Sequence, residues 1–101
     1  MIVVIVEVRI EEGAEAAAKD AIATMETESR KEPGCHTYAF SVDINDPTMM
    51  RIIERWESEE ALHAHFATPH MAAFSQAIGS IGVLSMDVQA YELGAKVAMP
   101  V

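Results

Sequence analysis

The sequence predicts an α+β domain in which a four-stranded antiparallel sheet carries helices on one face. At 101 residues the chain is a single small domain by length. Its apolar residues recur with period two in four segments and with three-and-four spacing in the segments between them. The resulting order is β-α-β-β-α-β with a broken second helix, the ferredoxin-like arrangement.

Residues 2–10 are rich in β-branched side chains and form the first predicted strand. One face carries Ile2, Val4, Val6, Val8 and Ile10, is wholly apolar, and should pack on helices. The other carries Val3, Ile5, Glu7 and Arg9 and is free to meet a partner subunit. Glu7 and Arg9, with no basic leader or small-residue cleavage site, make this a strand and not a signal peptide. A helix is expected from about Ala14 to Glu32, with Ala14, Ala17, Ala18, Ala21, Ile22 and Met25 as its buried stripe. Pro33 stops it and Gly34 lets the chain turn.

The second strand, Cys35–Asp43, places His36, Tyr38, Phe40 and Val42 on one face. Asn45-Asp46-Pro47 reads as a turn. The third strand, about Thr48–Glu57, alternates Met50, Ile52, Glu54 and Trp56 against Met49, Arg51, Ile53 and Arg55. Ser58 is a helix N-cap with Glu59 and Glu60 in the positive first turn, and that helix ends near Phe66. Thr68-Pro69 opens a further helix to about Ile78, closed off by Gly79 and Gly82. The last strand covers about Val83–Leu93, so the domain spans residues 1–93 and residues 94–101 form a tail or an arm across a neighbour.

Half of the residues are apolar despite 16 acidic and seven basic side chains, a surplus that points to a subunit interface, most simply a symmetric homodimer. The net charge of −9 argues against nucleic acid and against an anionic membrane surface as partners. No window is long enough to span a bilayer, so a cytoplasmic location is the default. Cys35 is alone, which removes an intrachain disulfide and disfavours a thiolate metal cluster.

Chemistry concentrates between Glu32 and Phe74, which hold the lone Trp, Tyr38 and all four histidines. His65 is either a general base lining a cavity or a partly buried histidine tying its helix to backbone carbonyls. His70, at the positive end of the next helix, is a candidate proton acceptor or orienting group, or a packing residue. His63 should face solvent, whereas His36 could line the same cavity. Trp56 offers a flat apolar plane for an aromatic substrate, or is simply core. Tyr38 could donate a hydrogen bond to a substrate oxygen, and Phe40 and Met50 complete the candidate substrate-binding set. Glu54 needs a partner if buried, with Arg51 or Arg55 of a neighbouring chain or a histidine as candidates. Cys35 reads as a structural thiol. The histidines show no recognised metal spacing and should be scattered, so no metal is expected. A phosphate-cradling glycine loop and a dinucleotide fingerprint are both missing, so no bound cofactor is expected.

EPGC-x-x-Y, a strand ending ERW, and S-x-x-A-L-x-x-H-x-x-x-P-H-x-x-x-F together resemble the antibiotic biosynthesis monooxygenase domain family. The resemblance follows the element order through nearly the whole chain and is most distinctive over Pro33–Phe74. It implies a dimeric α+β barrel of ferredoxin-like subunits. It also implies a metal- and flavin-free oxygenase acting on a quinol or polyketide-type aromatic compound with dioxygen. Mapped here, Trp56 and His65 would line the pocket, with Tyr38 and His70 in support. The positions matching the haem-degrading branch fall at about Val6, His65 and Ser75 and depart from its pattern, which argues against that chemistry. An isomerase branch acting on a phosphorylated sugar derivative has no obvious Lys/Arg cluster to match here, with Arg51 and Arg55 the remaining candidates for phosphate. The leading expectation is a monooxygenase in which His65 takes a phenolic proton and Trp56 positions the ring, the two bordering one water-poor hollow. A same-fold isomerase and a non-catalytic ligand-binding dimer are the alternatives.

Overall fold

Strict alternation in the first strand sets up the layers of the domain. The computed structural model covers residues 1–101. In β1 (Ile2–Ile10) the five even-numbered residues are buried, and they face the helices. The other elements are α1 (Ala14–Ser29), β2 (Cys35–Asp43), β3 (Asp46–Trp56), α2 (Glu59–Phe66), α3 (Pro69–Gly79) and β4 (Val83–Glu92). The strands lie in the order β2-β3-β1-β4, every neighbouring pair antiparallel. This is the predicted ferredoxin-like α+β sheet, but it is not a barrel. β2 and β4 do not pair, so the sheet is open with two free edges. Small closed barrels take about eight strands, and four cannot bring their edges together.

Met25 and Met50 fill the layer between α1 and the sheet, and Trp56, Tyr38, Leu62 and Phe74 continue the core toward α2 and α3. α1 ends at Ser29, three residues short of the expected Glu32; Ser29 is buried on its inner stripe and Ala17 is exposed. The tip of the β2–β3 hairpin is Ile44-Asn45, one residue earlier than expected, because Asp46 pairs with Asp43 and opens β3. The Asp46 carboxylate accepts from Thr48 and Arg9, which anchors that end of the strand.

The face of the sheet away from the helices is uncovered. Ile5, Ile53 and Tyr91 are about half exposed there, beside Arg51, which bridges Glu7 and Asp43. No helix is long and apolar enough to cross a membrane. Residues 93–101 follow β4 without regular secondary structure.

Candidate functional site

The site begins with a turn. After α1 the chain folds back on itself through Glu32 N–H to the Ser29 carbonyl and Cys35 N–H to the Glu32 carbonyl. Gly34 takes a positive φ of 83° there, the left-handed region that glycine enters without penalty. A Cβ at Gly34 would stand 2.7 Å from the Ala61 Cβ, so α2 lies directly against this turn. The Glu57 N–H donates to the Gly34 carbonyl and fixes the turn to the end of β3. Glu32 is thereby held beneath the junction of α2 and α3.

Two caps organise that junction. Ser58 Oγ accepts from the Ala61 N–H and starts α2. Thr68 Oγ1 donates to the His65 carbonyl at 2.7 Å and accepts from the Met71 N–H at 3.3 Å, so one hydroxyl ties the end of α2 to the start of α3. His65 in the last turn of α2 and His70 in the first turn of α3 consequently converge on one carboxylate. Glu32 Oε2 lies 2.7 Å from His65 Nδ1 and 2.8 Å from His70 Nε2. An ionised carboxylate only accepts, so each imidazole donates through that nitrogen, and the neutral form of the ring has its second nitrogen as an acceptor. Burial of the three side chains is nearly complete, at 2% exposed for His65, 11% for Glu32 and 15% for His70.

Around them sits an aromatic layer. The His65 ring is 4.8 Å from Trp56 and 5.4 Å from Tyr38, centroid to centroid, and Tyr38 leans on Phe40, which meets Phe74 edge-on. Trp56 Nε1 donates to Glu54 Oε1 at 2.9 Å. The buried Glu54 therefore finds a hydrogen-bond partner two residues along its own strand. Burial pushes the Glu54 carboxyl above the usual carboxylate range, against the pull of the Trp56 N–H and of nearby His65. Burial, reinforced by Glu54, likewise pushes the Tyr38 hydroxyl well up, so it stays protonated. Cys35 is raised by burial and by Glu32, as befits a structural thiol.

The expected hollow between Trp56 and His65 is filled by the two rings packing on each other, and Trp56 is fully buried. Open space lies one layer out, in a cavity of about 290 Å³ between α1 and α3. Its walls are largely apolar (Ala21, Met25, Ala73, Phe74 and Ala77), with Asp20 and Thr24 at an exposed margin and His70 as its one imidazole. The buried side-chain polar atoms without a partner are Glu15 Oε2 and Ser29 Oγ. His70 Nδ1, unpartnered and not among them, reaches solvent.

Of the residues singled out from sequence, the fold brings Tyr38, Trp56, His65 and His70 together and sets Phe40 at the edge of the group. Met50 is fully buried on the β3 side of the core. His36 is elsewhere. A bulge between Cys35 and Thr37 takes it out of the alternation, and it pairs with Glu57 at the surface. His63 is exposed. Glu32, the hub of the cluster, was not among the expected site residues. The visible signal was its place at the head of the EPGC motif, where a carboxylate has no role in the turn itself.

The sequence profile of the antibiotic biosynthesis monooxygenase family matches residues 1–77. The "Probable quinol monooxygenase YgiN" of Escherichia coli (strain K12) is 36% identical over 104 residues, spanning 93% of this chain and 99% of that protein. A solved structure from Deinococcus radiodurans superposes with a TM-score of 0.90 at 24% identity, covering 98% of both chains, a likeness of fold alone. A solved structure described as an antibiotic biosynthesis monooxygenase gives a TM-score of 0.85 at 26% identity, over 94% of this chain and 100% of its own.

Proposed function

We propose that this chain, which belongs to the antibiotic biosynthesis monooxygenase family, is a cytoplasmic monooxygenase that oxidises a hydroquinone or related polyphenol with dioxygen, without a bound redox cofactor. The observation that carries the reading is a carboxylate-held imidazole, His70, on the wall of an apolar cavity of a size to take an aromatic ring. The naming of a similar protein as a quinol monooxygenase supports the substrate class.

In this reading the aromatic ring lies against Met25 and Phe74, and a phenolic hydroxyl meets His70. His70 Nδ1 takes the proton, and Glu32 stabilises the resulting imidazolium through Nε2. His65, locked between Trp56 and the same carboxylate oxygen, holds Glu32 in place; it is a positioning residue. Deprotonation leaves the phenolate electron-rich against Met25 and Phe74, so it passes an electron to dioxygen. Radical recombination forms a C–O bond to the reduced dioxygen, and loss of water from the resulting hydroperoxide breaks the O–O bond and leaves one oxygen on the ring as a carbonyl. Hydroquinone plus dioxygen thus gives hydroxyquinone plus water, the substrate itself supplying the electrons.

We assign the homodimer to the bare sheet face, where Ile5, Ile53 and Tyr91 need cover. One observation favours a second reading, ligand binding without turnover: the direct packing of Trp56 on His65 leaves neither ring free to meet a substrate. Oxygen uptake by the purified chain with a panel of hydroquinones separates the two. Stoichiometric oxygen loss with a product that has gained one oxygen and lost two hydrogens supports oxidation. A product of unchanged mass indicates isomerisation, and binding with no product indicates the second reading.

A further inference from the structure

From the convergence of Glu32, His65 and His70 we infer a binding site for a divalent first-row transition metal ion. Glu32 Oε2, His65 Nδ1 and His70 Nε2 all lie within 4.8 Å of one another, and they come from three separate elements fixed by the Gly34 turn and the Thr68 cap. Two imidazoles and one carboxylate suit zinc, cobalt or iron better than the oxygen-seeking magnesium or calcium.

The charge also fits. The cluster carries one carboxylate, and the cations beside it in sequence are engaged elsewhere, Arg30 with Glu26 and Lys31 with Glu28. Each neutral imidazole need only move its proton to its second nitrogen to become a ligand. Metal bonds of roughly 2.0–2.2 Å place tetrahedral ligand atoms about 3.3 Å apart. The two nitrogens must therefore close by about 1–1.5 Å and each open from the oxygen by about 0.5 Å, within reach of side-chain rotation. His70 borders the α1–α3 cavity, which gives the cluster a path to solvent along that ring. A metal on Nε2 leaves Nδ1 protonated, so metal binding and proton acceptance by His70 are alternative states. The metal inference stands on the geometry alone and does not depend on the oxidation reading.

Titration of the full chain with Co²⁺, followed by visible absorbance and by calorimetry, tests it. The expected result is one equivalent bound with a d–d band of tetrahedral or five-coordinate intensity. Binding should weaken at least tenfold in His70→Ala and in Glu32→Gln and be unchanged in His36→Ala. His70→Ala replaces a side chain at the cavity wall, and circular dichroism checks that its fold is kept. Failure of the wild-type chain to bind, or equal binding by wild type and both ligand variants, would overturn the inference.

Discussion

Replacing Glu32 by glutamine isolates what the shared carboxylate contributes to the fold. The amide oxygen takes the place of Oε2 and still accepts from both histidines, and the amide nitrogen replaces Oε1, so volume and hydrogen-bond count are kept. What is lost is the negative charge. Hydrogen bonds to a charged group contribute roughly 1.5–3 kcal/mol each, and neutral ones about 0.5–1.5. The bonds here are 2.7 and 2.8 Å long, and none of the three side chains is more than 15% exposed, so solvent screening removes little of the difference. The expected loss is about 1–1.5 kcal/mol per bond, or roughly 2–3 kcal/mol in all. For a domain of this size that lowers the melting temperature by roughly 10–20 °C. Urea unfolding should show a lower midpoint with an unchanged slope, since the surface exposed on unfolding is the same. A loss under about 0.5 kcal/mol, the range of an ordinary surface substitution, would mean that Glu32 is not the hub of the cluster.

Three further outcomes follow from the same geometry. Gly34→Ala forces a positive φ on a residue with a Cβ and drives that atom to 2.7 Å from Ala61, so it should cost at least about 2 kcal/mol in urea unfolding. Glu54→Gln should be more stable than wild type at pH 7. A carboxyl raised by burial favours folding below its unfolded pKa and loses that contribution as pH rises through the folded one. The difference should shrink as pH falls toward about 4; urea midpoints that diverge on acidification would contradict this. Ala73→Phe projects from an exposed helix position into the α1–α3 cavity. It should raise KM for a hydroquinone at least tenfold with little change in melting temperature, and an unchanged KM would place the substrate elsewhere.

The sheet and its helix-facing side were legible because β-branched alternation is a strong signal, and every even residue of β1 is buried as read. Thr68-Pro69 and Ser58 announced their helices for equally local reasons, the caps that each structure uses. Alanine carries less information. Ala17 and Ala18 look alike in sequence, and the angle at which α1 crosses the sheet decides that only Ala18 is buried. His36 was misplaced because a bulge shifts the side-chain alternation, and Cys-His-Thr gives no local mark of one. The role of Glu32 was missed for a different reason, since its place in the EPGC motif marks the residue but not its partners. Its partners lie 33 and 38 residues away, and only the packing of α2 against the Gly34 turn brings them within reach. The barrel implied by resemblance describes what a single open sheet of four strands does not form. The filled space between Trp56 and His65 depended on side-chain volumes meeting in the core, which periodicity does not encode.

The most direct measurement is the initial rate of oxygen uptake with one confirmed hydroquinone substrate, wild type against His70→Ala, at saturating and subsaturating concentrations. Loss of a positioned proton acceptor should lower kcat by about a hundredfold or more, with the variant still folded. A variant that consumes oxygen as fast as the wild type would show that the imidazole facing the cavity does not take the substrate's proton.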